Sequence, residues 1–357
     1  MAIEWLSGNR LRGTTAERPN LGLPSGSVGG WVELGRTTLG SAGDAIDVTG
    51  LADKRYLMAL INVPTTGNAR PRTRFNADTG SNYSDRWSQN GGGDNTGPSQ
   101  SFIYNEVTST TDDTFAVCYA SNLSNKEKLT ICHGVSAKAA GAGQEPFRSE
   151  VVGKWANTSN AISQWNITND LAGDYTSGAE CVVLGWDPDD THTTNFWEEI
   201  GSATGTSIED ITLNSDKKYL WIQAWVKSTG GTLGTMLRVG DTAIDSGTSY
   251  AQRRQSDGGS DFADTNTTGL NVEPATSASG LANFINCFVI NNASNEKLFI
   301  SHGIYGNTAG AGNAPNRREL AGKWANTSNQ IGHVGIVDTS GTGSIDSTSV
   351  VKVWGAD

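Results

Sequence analysis

His133 and His302 are the residues whose type most invites chemistry. They stand in matching surroundings, Leu129-Thr130-Ile131-Cys132-His133-Gly134 and Leu298-Phe299-Ile300-Ser301-His302-Gly303. A duplicated histidine could hold a metal or carry a proton. Metal binding needs further ligands at suitable spacing. Neither histidine has a carboxylate or second imidazole nearby in sequence, and Cys132 is replaced by Ser301 in the other copy. Both are read as structural histidines placed before a glycine at a strand end. Asp187, Asp189 and Asp190 offer oxygen ligands for calcium, as does Asn76-Ala77-Asp78-Thr79-Gly80, but neither stretch completes an ion-binding loop. The phosphate-binding pattern GxxxxGK[ST] is missing, since Gly153-Lys154 and Gly322-Lys323 are each followed by Trp. GxSxG and HExxH are missing too. No catalytic, cofactor-binding or metal-ligating residue is assigned, and the chain is read as a non-enzyme.

The cysteines are Cys118, Cys132, Cys181 and Cys287, with no CxxC among them. That excludes zinc ribbons and thioredoxin-like redox motifs. Cys118 and Cys132 flank a hairpin symmetrically and could be bridged on geometry. Their counterparts are Cys287 and Ser301, so the architecture does not require a bridge. The expectation is four buried free thiols in a reducing compartment.

These residues sit in a chain of 357 with 26 basic and 37 acidic side chains and a net charge of −11. Such a balance argues against nucleic-acid coating, which needs clustered Lys and Arg. No apolar run reaches the roughly 18–20 residues of a membrane helix. Met1-Ala2-Ile3-Glu4-Trp5 shows no basic segment leading into an apolar core, so no secretory leader is expected. Charged residues make up 18% and Gly numbers 44, a composition that favours turns and strands over helices.

The chain repeats itself. Gly153-Lys154-Trp155-Ala156-Asn157-Thr158-Ser159-Asn160 recurs unchanged as Gly322 to Asn329. Asn125-Lys126-Glu127-Lys128-Leu129 matches Ser294-Asn295-Glu296-Lys297-Leu298, and Ala140-Gly141-Ala142-Gly143 matches Ala309-Gly310-Ala311-Gly312. Asp53-Lys54-Arg55-Tyr56-Leu57 matches Asp216-Lys217-Lys218-Tyr219-Leu220, and Trp31 with Gly35 matches Trp197 with Gly201. The predicted organisation is an extended N-terminal arm (1–30), a first β-sandwich (31–187), a linker (188–194) and a second β-sandwich (195–357). A repeat of this length is one domain rather than a solenoid unit.

Periodicity within each copy is two. Leu57, Ala59, Ile61 and Val63 share one face of a strand, as do Leu220, Ile222, Ala224 and Val226. That face is assigned to the core, and the opposite one, which admits Asn62 and Gln223, is expected to be the more solvated. Phe115–Ala120 and Phe284–Val289 read as strands of hairpins. The fold class is all-β: two tandem duplicated antiparallel sandwiches, jelly-roll-like, with an extended arm. Trp155 and Trp324 recur at matching positions and are predicted to be packed. Trp87 and Trp165 align with Arg254 and Val334 and are predicted to be exposed.

Two motifs carry a resemblance. Each copy ends in Gly-Lys-Trp-x-Asn-Thr-Ser, a Gly-rich loop and a closing strand, Val182-Val183-Leu184-Gly185-Trp186 or Val350-Val351-Lys352-Val353-Trp354-Gly355. Asn76-Ala77-Asp78-Thr79-Gly80-Ser81-Asn82-Tyr83 is the second motif. Together they resemble the β-sandwich domains of tailed-phage virion structural proteins. The resemblance implies a bacteriophage capsid decoration (cement) or appendage protein, located in the virion after assembly in the host cytoplasm. It implies the major capsid protein or other virion subunits as partners, a homo-oligomer (a trimer), and no cofactor, nucleic acid or membrane. The alternatives are a double jelly-roll capsid protein and a carbohydrate-binding appendage recognising a host glycan. The arm has no counterpart in the second copy, and its apolar tip and arginines suit an anchor. Ile3, Trp5, Leu6, Arg10, Arg12 and Arg18 are the interface candidates.

Overall fold

The computed structural model describes residues 5–6, 10–11, 30–65, 67–106, 112–187, 195–272, 280–306, 310–312 and 314–357. In the arm, β1 (Trp5–Leu6) pairs antiparallel with β2 (Arg10–Leu11). Ile3, Arg12 and Arg18 lie outside the described residues, as does the linker 188–194.

The first half has an eight-stranded antiparallel sheet in the order β3 (Val32–Thr38), β14 (Glu180–Trp186), β5 (Tyr56–Val63), β10 (Thr114–Ser121), β11 (Lys128–Ser136), β12 (Phe147–Trp155), β7 (Tyr83–Gln89), β8 (Asn95–Gln100). A four-stranded sheet covers one face: β4 (Ala45–Thr49), β13 (Gln164–Thr168), β6 (Arg72–Phe75), β9 (Ile103–Tyr104). The second half follows the same plan. Its large sheet runs β15 (Glu198–Thr204), β26 (Val350–Ala356), β17 (Tyr219–Thr229), β21 (Ala282–Ile290), β22 (Lys297–Tyr305), β23 (Asn316–Trp324), β19 (Tyr250–Ser256), β20 (Phe262–Thr267), with β25 (Ser344–Ile345) on the end of β17. Its small sheet is β16 (Ile211–Thr212), β24 (His333–Asp338), β18 (Thr235–Gly240). The large sheets agree strand for strand.

Alternation fills each sandwich. Leu57, Ala59, Ile61 and Val63 are fully buried, as are Leu220, Ile222 and Val226, with Ala224 scarcely different. Trp155 and Trp324 close the two cores from equivalent positions. The shared Trp-x-x-x-Gly serves the edge strand. The register shifts beside Gly35 and again beside Gly201. A Cβ at either glycine would meet a side chain from the opposite layer, Val48 of β4 at 2.9 Å or Leu213, next after β16, at 2.7 Å. A bulge that must press against the opposite sheet therefore takes a glycine.

Three sequence expectations are corrected. The opposite face is the more solvated one on β17, where Trp221 and Gln223 are half-buried and Trp225 is exposed, but not on β5, whose Met58, Leu60 and Asn62 are buried because the two large sheets pack on each other there. Met58, Leu60, Phe115, Val117 and Val135 of the first half join Tyr219, Phe288, Leu298, Ile300 and Ala321 of the second in one buried cluster. The protein is thus a four-layer stack, small sheet, large sheet, large sheet, small sheet. Period two locates two faces but does not say which is wet, since a face buried on another domain also tolerates apolar residues. Trp165 is buried, not exposed: it packs edge-on against Phe75 at 4.9 Å, and its indole donates to Thr73 Oγ1 at 3.1 Å. Finally, Cys118 and Cys132 are directly opposed on β10 and β11 and are joined by a disulfide, leaving Cys181 and Cys287 as buried thiols.

Candidate functional site

The chemistry-bearing residues converge on the seam between the large sheets. His133 and His302 sit in mid-strand on β11 and β22, not at strand ends. Their strand partners are Glu150 on β12 and Glu319 on β23. The large sheets bring the imidazoles together, with ring centroids 4.3 Å apart. Arg148 crosses the seam. Its guanidinium is bonded to Glu150 in its own half and reaches Asp261 at 2.7 Å and Glu319 at 3.1 Å in the other.

Electrostatics show what this cluster can do. Burial, then His302 and Arg148, push His133 down to about 3. His302 is also lowered, chiefly by burial. Both rings are therefore neutral at physiological pH. Burial lifts Glu150 to about 7 against the opposing pull of Arg148, and the neighbouring Glu319 lifts it further. Glu319 moves the other way: hydrogen bonding to Glu150 and the nearby arginines outweigh its burial. The two carboxyls titrate together, Glu150 raised and Glu319 lowered from the ordinary value. Space between these groups amounts to about 10 Å³, room for one water. The cluster ties the two large sheets together around a space no larger than a water.

The other repeated polar residues are also engaged internally. Lys128 is fully buried, and its ammonium donates to the carbonyls of Ser124, Lys126 and Asn157 at 2.9–3.2 Å. Lys297 repeats this with Ala293, Asn295 and Asn326. Each ammonium also lies over a tryptophan ring, Trp155 at 5.5 Å or Trp324 at 5.7 Å. Each asparagine then caps its own loop, Asn157 Oδ1 accepting from the Ser159 and Asn160 amides and Asn326 Oδ1 from those of Ser328 and Asn329. The duplicated Lys-Leu and Gly-Lys-Trp-Ala-Asn motifs are therefore two parts of one clasp.

Asp78, weighed above as a calcium ligand, serves similarly. Its carboxylate accepts from the Trp155 indole at 2.8 Å, from Asn82 and from the Gly80 amide. Burial would raise this group, but those donors outweigh it and hold it below its ordinary value. Asp245 receives Trp324 at 2.9 Å in the second half. Asp187 pairs with Arg55 at 3.6 Å, while Asp189 and Asp190 lie outside the described residues. No group of three or more potential metal ligands occurs among the described residues.

Of the interface candidates, Trp5, Leu6 and Arg10 lie in the β1–β2 pair, and Ile3, Arg12 and Arg18 lie outside the described residues. Sequence reading missed Arg148, Glu150, Asp261 and Glu319. Their signal was available: the alternate positions Arg148, Glu150, Val152, Lys154 and Arg317, Glu319, Ala321, Lys323 carry the same mixture of charge and apolarity in both copies.

No family model matches the chain, and no curated protein does. Among solved structures it is similar to domains LG4-5 of the mouse laminin alpha1 chain, at 8% identity and a TM-score of 0.19, covering 92% of this chain and 91% of that one. It is also similar to Pseudomonas aeruginosa OccK9 (OpdG), at 10% identity and a TM-score of 0.12, covering 84% and 97%. Likeness at that level carries neither fold nor function across. The sheets themselves define the class: an all-β protein of antiparallel sandwich type.

Proposed function

We propose that this protein is a non-enzymatic structural subunit of a virus particle, a capsid decoration or appendage protein that docks on the major capsid protein or another virion subunit. One observation carries the non-enzymatic part. The polar residues that the two halves share, His133/His302, Lys128/Lys297 and Asp78/Asp245, are all engaged in holding the stack together. What the described surface offers instead is apolar side chains on sheet faces, including Leu129, Ile131 and Val152. Such a surface suits contact between subunits. The phage-like closing motifs supply the particle, and the arm with Ile3, Trp5, Leu6, Arg10, Arg12 and Arg18 supplies a candidate anchor. A homo-oligomer on the shell fits this role. The test is mass spectrometry of density-purified particles from a lysate that produces the protein. The expected result is a stoichiometric ratio to the shell subunit. Absence from particles refutes the reading, and specific glycan-array binding would replace it with the carbohydrate-binding alternative.

A further inference from the structure

The seam joins the halves through different parts of their equivalent faces. Strand register fixes the equivalences: Phe115, Tyr119, Leu129, Ile131, Val135, Val152 and Lys154 correspond to Phe284, Phe288, Leu298, Ile300, Ile304, Ala321 and Lys323. The first half contributes one end of its large sheet, around Phe115 and Val135. The second half contributes the opposite end, around Tyr219, Phe288, Leu298 and Ile300. A central band of each face is used by both halves: His133 and His302, Met58 and Trp221, Tyr119 and Phe288, and Leu184 and Trp354 all lie in the seam. In a two-fold pairing each half would offer the same patch. This seam is instead heterologous, with a first-type end of one half meeting a second-type end of the other.

A heterologous seam leaves one unused end on each half. Leu298 is 0% exposed and Ile300 5%, whereas their counterparts Leu129 and Ile131 are 59% and 50% exposed. Conversely, Phe115 is 1% exposed and its counterpart Phe284 42%. Ile304 and Trp225 continue that second row, directly paired to Phe284 across the strands. Seven of the nine large exposed hydrophobics among the described residues (Tyr56, Leu129, Ile131, Val152, Trp225, Phe284, Ile304) fall on these two unused ends. Scattered exposed apolar residues need no explanation, but two rows that copy the halves of a buried interface do.

The polar groups follow the same pattern. In the seam, Lys323 is buried on Glu296 at 3.2 Å and donates to the carbonyls of Ala137 and Ala139 in the first half. The equivalent pair Lys154–Glu127, at 3.3 Å, faces solvent. Arg253 reaches the Pro146 carbonyl at 3.0 Å, and Asp261 takes Arg148. Their counterparts Arg86 and Asp94 hold only each other, in the open, at 3.4 Å. Pro315 and Arg317 stand ready on the second half where Pro146 and Arg148 stand on the first. Several positions depart from the pattern: Glu145, Glu180 and Asp113, which hold Arg253, Lys218 and Asn295 across the seam, correspond to Ala314, Val350 and Ala282, and the buried Leu60, Val117 and Val182 correspond to Gln223, Asn286 and Lys352.

We infer that the free end of the first half docks on the free end of the second half in another copy of this chain, pairing between molecules the two outer rows that meet in the internal seam. The occupant is a second copy because the complementary surface is already in the same sequence and is already seen filled once. The lost carboxylates, and Gln223, Asn286 and Lys352 in place of apolar side chains, make the intermolecular seam weaker than the internal one and therefore reversible. Head-to-tail contacts of this kind close into a ring or continue as a fibre, according to the rotation between successive copies. This inference stands on the seam alone and does not need the virus-particle reading.

Sedimentation velocity and light scattering on the full chain, over rising concentration, test it with two variants at exposed sites. Ile131→Glu blocks the free end of the first half, and Phe284→Glu that of the second. Circular dichroism and melting should match the parent for both. Should either variant misfold, Leu129→Lys and Ile304→Lys replace them. The parent is expected to associate, each variant alone to stay monomeric, and an equimolar mixture to form a one-to-one dimer that grows no further. That last result separates a heterologous contact from a two-fold one. A parent monomeric at every concentration overturns the inference. So does a variant that self-associates as the parent does, or a mixture that stays monomeric.

Discussion

Lys154 and Lys323 stand in an identical octapeptide, so any difference between them comes from tertiary context alone. Lys323 has no exposed surface in the seam, and its partner Glu296 is almost as deeply placed. Burial lowers the Lys323 ammonium and Glu296 opposes that lowering, as expected of a charge retained by its partner. Lys323→Met removes the cation and leaves Glu296 buried without it. Breaking a buried pair on one side costs about 3–5 kcal/mol. Lys154→Met breaks an ion pair open to solvent, and such pairs contribute about 0–1 kcal/mol. The two substitutions should therefore differ by roughly 2–5 kcal/mol in unfolding free energy. Urea titration followed by tryptophan emission reads this directly, because Trp197, Trp221 and Trp354 lie along the seam. The double variant Lys323→Met with Glu296→Gln should regain part of the loss, since it removes the stranded charge. Equal midpoint shifts for the two single variants would refute the buried seam and, with it, the four-layer stack.

Three further outcomes follow from the geometry. Trp155→Ala and Trp324→Ala should each cost on the order of 3–5 kcal/mol in the same titration, because each removes a buried indole; a loss below about 1 kcal/mol would place that ring at the surface. Alkylation under denaturing, non-reducing conditions should label Cys181 and Cys287 only, with Cys118 and Cys132 reacting after reduction; mass spectrometry showing all four labelled without reductant would remove the bridge. Stability should fall at acid pH. His133 stays unprotonated in the fold down to about pH 3, while an unfolded histidine binds its proton near 6.5, so this stabilisation is present above 6.5 and is lost as pH drops. Glu150 acts oppositely between its ordinary 4.5 and about 7, and Asp85 and Asp113 between their ordinary 3.8 and about 6, so the decline should steepen below 3.8, where Asp78 and Asp245, both held low by their hydrogen bonds, add to it. A melting temperature that rises between pH 3.8 and 3 would contradict that sign.

The sandwich interiors were legible because they obey a local rule. Leu57 to Val63 and Leu220 to Val226 alternate, and alternation marks a face that must leave water. The seam was not legible, because its residues look half-polar in sequence. Asn62 on a strand face reads as solvated until a second sheet is laid on it. Trp165 failed for a related reason. Its partner in the other half is Val334, and both are buried, so a change of size between copies was mistaken for exposure. The disulfide failed because Ser301 opposite Cys287 removed the argument from symmetry. The duplicated Gly-Lys-Trp-Ala-Asn stood out at once, but what it holds did not. Lys128 reaches Asn157 across 29 residues of chain, a contact that pairing of β11 with β12 creates and spacing does not reveal.

The seam also accounts for where the two halves have diverged. Residues of the clasp, Lys128 and Lys297, Trp155 and Trp324, Asn157 and Asn326, are the same in both, since each sandwich closes itself in the same way. Residues of the packing face differ by side. The end used by the first half has Leu60, Asn62 and Val117, where the second has Gln223, Trp225 and Asn286. Among these, Gln223 and Trp221 share Asn286 Oδ1 as acceptor, at 3.1 and 2.7 Å. That small network belongs on a partly wet surface and would be misplaced in the dry centre of the seam. On the other end, Ala321 stands in the seam where Val152 stands in the open, so the buried copy has the smaller side chain where the sheets approach. A two-fold contact would press identical residues into the same role and keep the copies alike. A heterologous contact assigns each end a different environment in each half, and side-chain size and polarity follow the environment. The same logic limits the outer contact. Ala314 and Val350 lack the carboxylates that hold Arg253 and Lys218, so copies that meet there meet mainly through Leu129, Ile131, Phe284 and Ile304, and can part again.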